Sequence, residues 1–188
     1  MKTFLTALVS GAFAMAASIG VASANVITID DGLGSIECTV SCEAFTGAGG
    51  NGADPTGAGV LSSSFADYYD GTPSNEAAEA NRLSTLITGS TGLFAGTDGT
   101  RTTGTGGSMT FDTLAEYVVL KIGNVAVFIK NTSGGLLTVD YTSFPGAGSG
   151  LSHYTEFGRV ADIPLPAAAW LMLAGVAGLG FAGRRKAA

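Results

Sequence analysis

The chain has 188 residues, of which only 13% are charged, and a formal net charge of −6. All 15 acidic residues lie between Asp30 and Asp162, but only Arg82, Arg101, Lys121, Lys130 and Arg159 of the nine basic ones do, so this span carries a net charge of −10. Such a surface repels phosphate backbones and excludes nucleic acid as a partner. The 29 glycines, with abundant Ser and Thr, suit short strands joined by many turns better than helices.

Met1-Lys2 is a minimal positive start, and Phe4 to Val21 is an uncharged stretch of apolar and small residues. Ala22-Ser23-Ala24 then reads as an A-x-A cleavage site, so residues 1–24 are predicted to be a signal peptide used by the Sec translocon. The mature chain is predicted to begin at Asn25. Setting aside both ends, residues 25–161 form one extracytoplasmic domain, long enough to bury a core.

Asn25 to Asp30 alternates apolar and polar residues and is predicted to be a strand, with Ser35 to Ser41 as its neighbour across a turn at Asp31 to Gly34. Cys38 and Cys42 are expected to form a disulfide in an oxidising compartment. A three-residue spacer can close on a turn or bulge but not on a flat strand. Free thiols are one alternative. A metal site is the other, weakened because structural zinc wants four ligands and the only histidine, His153, is far away in sequence.

Phe45 to Val60 is predicted to be a flexible surface loop. Gly49 to Asp54 within it matches the first positions of a calcium-binding nonapeptide repeat, but the match fails at Thr56 and occurs once. Asp67 and Asp70 flank Tyr68 and Tyr69, yet neither has an evident acid partner across a cleft, and a half-exposed segment is the plainer reading. One helix follows, with Thr72 and Pro73 as N-cap and first residue and with Glu76 and Glu79 complementing its dipole. Ala80, Leu83, Leu86 and Ile87 form its apolar stripe, and Gly89 ends it.

Thr91 to Gly107 reads as a Gly/Thr loop. Strands are predicted at Ser108 to Asp112, Tyr117 to Ile122, Val125 to Lys130, Leu136 to Tyr141 and Leu151 to Phe157. Gly123-Asn124 supplies a two-residue hairpin turn. Asn131-Thr132-Ser133 fits a glycosylation sequon and carries no weight in a chain of bacterial character.

From Ile163 to Gly183 no side chain is charged, which is about the 20 residues needed to span a hydrocarbon core. Arg184, Arg185 and Lys186 follow and orient the tail to the cytoplasm. Ile163-Pro164-Leu165-Pro166-Ala167, the apolar helix and this basic end together resemble the C-terminal sorting signal of exosortase substrates. The likeness is to the VPLPA variant of the PEP-CTERM class, with Ile163 where Val is usual. The resemblance implies recognition by a membrane-embedded exosortase, an inner-membrane intermediate with its body outside, cleavage near the Pro motif, and delivery to the cell surface or extracellular matrix, often with exopolysaccharide. Residues 162–188 are assigned to this signal.

Leu120 to Phe128 and Gly150 to Phe157 loosely resemble bodies carried by such proteins, which look like β-sandwiches whose final His-containing strand closes a sheet. The expected fold is therefore mainly β: an antiparallel, jelly-roll-like β-sandwich with one amphipathic helix.

No G-x-S-x-G elbow, H-E-x-x-H motif or phosphate loop is present. Ser152 adjoins His153, but strand neighbours point to opposite faces and cannot pair directly. The expectation is a non-enzymatic protein without cofactor, metal or catalytic residues, exported to the surface or matrix. Two alternatives remain. A carbohydrate-binding module would present exposed rings from Tyr68, Tyr69, Tyr117, Tyr141 or Tyr154, and a secreted hydrolase would use His153 in a cleft beside a carboxylate or serine.

Overall fold

The computed structural model describes residues 24–96, 98–144 and 150–158. Most of the expected signal peptide and all of the expected sorting signal lie outside the described residues. Among the described residues no helix is long and apolar enough to cross a membrane. The described residues are mainly β, with two sheets and one α-helix among them.

β1 (Asn25–Ile29) pairs antiparallel with β2 (Gly34–Cys38) across a short 3-10 turn at Asp30–Gly32. β3 (Cys42–Thr46) starts within four residues of β2 and runs into what reads in sequence as loop. Three short strands follow: β4 (Val60–Ser62), β5 (Phe65–Ala66) and β6 (Tyr69–Asp70). α1 spans Glu76–Thr88. Then come β7 (Gly99–Thr103), β8 (Met109–Thr113), β9 (Tyr117–Ile122), β10 (Val125–Asn131), β11 (Leu137–Ser143) and β12 (Leu151–Phe157).

The first sheet has the order β5-β1-β2-β11-β8 and the second β4-β3-β10-β9-β12-β7, with β6 also beside β10. Pairing is antiparallel except between β1 and β5. The strand carrying His153 does not close its sheet. β12 lies one place in from the edge, and the polar strand β7, read in sequence as loop, lies outside it.

Burial follows from what covers each face. Strands of the first sheet alternate buried and exposed positions, because one face packs inward and the other meets water. Ile27, Ile29, Ile36, Val139 and Tyr141 point inward and meet Val118, Leu120, Val127 and Ile129 of the second sheet. Phe111 of β8 stacks on Tyr154 of β12 across this layer, with centroids 3.8 Å apart.

The second sheet is covered on both faces. Its other side packs Val119, Ala126, Phe128 and Phe157 against Ala80, Leu83 and Leu86 of α1. This is why β9 is buried at every position and reads as a continuous apolar run.

The helix begins later than Thr72-Pro73. Asn75 is the N-cap, its side chain accepting from the Ala78 N–H at 2.9 Å, an arrangement that Thr72, three residues before the cap, cannot offer from its position. Gly89 closes the helix in the left-handed conformation as expected, its φ of 78° being one that glycine adopts without strain.

The segment from Gly47 to Val60 is tied down rather than loose. Gly52 N–H donates to Tyr68 O at 3.0 Å, Asp70 N–H to Ala53 O at 3.0 Å and Thr56 N–H to Ala48 O at 2.8 Å.

Candidate functional site

The second sheet's helix-facing side holds a cluster of polar groups that the apolar pattern does not announce. His153 is 1% exposed, Glu79 is fully buried and Lys121 is 2% exposed. A defect in β12 puts His153 there. The pairing of β12 with β9 shifts between Leu151, opposite Ile122, and His153, opposite Lys121, so Ser152 is an extra residue in a bulge. The bulge slips the side-chain phase by one. Leu151 packs between the sheets, whereas His153 turns to the helix face.

There His153 Nε2 lies 2.8 Å from Glu79 Oε1, and Thr155 Oγ1 donates to Glu79 Oε2 at 2.6 Å. On the other side of the ring, Arg101 Nη2 lies 2.8 Å from His153 Nδ1. A guanidinium can only donate, so Nδ1 accepts, and the ring proton sits on Nε2 and is donated to Glu79. Arg101 reaches from exposed positions of β7 and also donates to Ser74 O at 3.2 Å and Ser74 Oγ at 3.3 Å. The chain Ser74–Arg101–His153–Glu79–Thr155 thus joins the edge strand, an inner strand and the helix entrance.

Burial pushes the Glu79 carboxyl up, but the hydrogen bonds from His153 and Thr155, with the Arg101 charge nearby, outweigh it and hold the group below the usual carboxylate range. Burial likewise holds the Lys121 ammonium below its ordinary value, against the attraction of Glu79 and Asp70. Lys121 Nζ donates to Gly123 O.

The bulge also corrects the expectation that Ser152 and His153 cannot meet. Ser152 Oγ lies 3.4 Å from His153 Nδ1, because the extra residue breaks the strict alternation of faces. Arg101 is closer to the same lone pair. While Arg101 holds Nδ1, both ring nitrogens are engaged and the buried ring presents no lone pair to a substrate.

Cys38 and Cys42 form the expected disulfide, with Cα atoms 6.0 Å apart, at the corner where the chain leaves the first sheet for the second. Among the described residues no group of three His, Cys, Asp or Glu side chains is placed to hold a metal. Asp54, the acid of the repeat-like loop, pairs with Arg82 at 2.6 Å instead. Asp67 accepts from Gly47 N–H at 2.6 Å and so fixes a loop. Asp70 accepts from the Thr72 hydroxyl and N–H, which hold its carboxyl below the usual range. Asn131 of the sequon is buried, bonding to Ala115 O and Gly135 O.

The tyrosines do not form a stacking face. Tyr69, Tyr117, Tyr141 and Tyr154 are buried, and Tyr68 donates to Asp31. A cleft of about 700 Å³ opens between the edge strands of the two sheets. Its walls combine Asp98, Asp112 and Glu156 with Phe94, Leu114 and Leu136.

Of the expected site residues, Asn25, Cys38 and Cys42 have defined places in the fold. Ala24 immediately precedes β1. Ala22, Ile163 to Ala167, Arg184, Arg185 and Lys186 lie outside the described residues. No protein-family model, curated protein or solved structure matches this chain.

Proposed function

We propose that this is an exported, non-catalytic protein of the cell surface or extracellular matrix, sorted by an exosortase and associated with exopolysaccharide. The observation that carries the reading is in the sequence: Ile163-Pro164-Leu165-Pro166-Ala167, an apolar run of spanning length, and Arg184-Arg185-Lys186. We read the two facing sheets as a jelly-roll-like antiparallel β-sandwich that forms the delivered body.

Three features support this reading. The first strand begins at Asn25, where the mature chain is expected to start, and the last ends at Phe157, before the sorting signal. A buried disulfide suits an oxidising compartment. The one histidine is committed to structural hydrogen bonds, which favours a body that performs no catalysis.

The test is intact mass and fractionation of the protein from its native host, with and without replacement of Ile163, Pro164, Leu165 and Pro166 by alanine. The expected result is a surface or secreted form that lacks both ends, lost in the replacement. A full-length chain held in the inner membrane and indifferent to the replacement would overturn the sorting reading.

A carbohydrate-binding module is the second reading. With four of the five tyrosines buried and Tyr68 bonded to Asp31, it rests on the cleft at the sheet edges, whose carboxylates and apolar side chains could meet sugar hydroxyls and ring faces. Glycan binding weakened by Asp112→Asn would favour it.

A further inference from the structure

We propose that Arg101, His153 and Ser152 form an acid-sensitive latch that holds the edge strand β7 closed when His153 is neutral and releases it when His153 takes up a proton. Three observations carry this. Arg101 Nη2 and Ser152 Oγ both approach His153 Nδ1, at 2.8 Å and 3.4 Å. Glu79 holds Nε2 from the opposite side at 2.8 Å. Arg101 is exposed, whereas His153 and Glu79 are buried.

The two partners of Nδ1 suit opposite states of the ring. A neutral ring accepts there, which a guanidinium satisfies. A ring protonated from solvent donates at both nitrogens, and a guanidinium, with donors only, then faces it as a second cation. A serine hydroxyl can accept, so Ser152 is the partner that replaces Arg101.

Protonation also turns the bond to the Glu79 carboxylate from a neutral donor on an ionised acceptor into an ion pair, which tightens the helix side. Only Arg101 is free to move into water, and with it go its bonds to Ser74. The break is therefore directional: the strand edge opens and the helix stays.

Charged groups of both signs surround the ring. Glu79 on α1 favours the protonated ring. Arg101 on β7 and Lys121 on β9, the latter in register with His153, oppose it; Asp70 on β6 and Arg82 on α1 act on it through Lys121. β7 bounds the second sheet, so its release leaves β12 as a newly unpaired edge, the kind of surface that pairs with other strands.

The presence of a single histidine makes the test unambiguous. Nitrogen NMR on the ¹⁵N-histidine-labelled full chain should show Nδ1 unprotonated and Nε2 protonated at about pH 8, and both protonated at about pH 5. Over that range the amides of β7, corrected for intrinsic exchange and referenced to β10, should lose about tenfold in hydrogen-exchange protection. His153→Gln, whose amide can still donate to Glu79 and accept from Arg101, should hold its β7 protection constant. A protonated Nδ1 at pH 8, β7 protection that ignores pH, or an equal loss in His153→Gln would each overturn the latch. If His153→Gln does not fold, the first two measurements on the unaltered chain still decide it.

Discussion

The side chain of Asn25 and the backbone of Cys42 bond to each other in both directions: Asn25 Nδ2 donates to Cys42 O at 2.8 Å, and Cys42 N–H donates to Asn25 Oδ1 at 3.2 Å. The first residue of β1 thereby fastens one sheet to the first residue of β3 in the other. Asn25 Nδ2 also donates to Ser63 O at 3.0 Å. Asn25→Ala removes these part-buried and exposed bonds and should cost about 0.5–1.5 kcal/mol of stability, the net worth of a typical hydrogen bond where water can reach the groups left behind. Chemical denaturation of the body measures this, and a loss within error would mean that water replaces the side chain.

Glu79 is the buried charge on which the helix contact depends. Its folded-state pKa lies below the unfolded value, so the carboxylate's contribution is fully present above the ordinary value of about 4.3 and is lost as pH falls through the folded one. Glu79→Ala strands His153 Nε2–H and the Thr155 hydroxyl and should destabilise by about 3–5 kcal/mol. Glu79→Gln keeps one acceptor and should cost about 1–3 kcal/mol. Denaturation midpoints recorded against pH should show the gap between the native chain and Glu79→Gln narrowing below about pH 4.

This contact shows what the sequence conceals. Glu79 sits in the first turns of a helix, where an acid is expected for the dipole alone, and nothing in its neighbourhood points to His153, 74 residues away. The bulge at Ser152 leaves only a faint trace: Leu151 and Tyr154, which share the inter-sheet core, are three residues apart where strict alternation would put them on opposite faces. β7 is Gly-Thr-Arg-Thr-Thr, an edge strand whose exposed positions need no apolar residues, so its pattern matches a loop. β9 and β10, by contrast, are legible because the second sheet is covered on both faces and its strands must be apolar throughout. The stripe of α1 is legible for the same reason. The disulfide is readable from spacing, whereas the switch between sheets that it spans is a tertiary fact.

On the outer face of the first sheet, Glu37 and Asp140 are directly opposed in register between β2 and β11. Like charges in this position repel, and no salt bridge relieves either among the described residues. Glu37→Lys turns the repulsion into attraction and should raise stability by about 0.5–1 kcal/mol at low salt. The gain should shrink in high salt, where exposed charges are screened. A stability that does not change would mean the two carboxylates already point apart into water.

Cys38 and Cys42 are both buried, at 0% and 1% exposure, so a reductant reaches the bond only after local opening. Mild reductant with a thiol reagent should leave the native body unlabelled, and label it once denaturant unfolds it. The bridge closes only a short loop, so the chain-entropy contribution is near the small end, about 2 kcal/mol. Replacing both cysteines by alanine should therefore lower stability by about that amount while the two sheets persist. Rapid labelling of the untreated native protein would favour free thiols instead. A much larger loss would mean that the bridge holds the corner between β2 and β3 in place as well as restricting the unfolded chain, since Asn25 meets the backbone of Cys42 at that same corner.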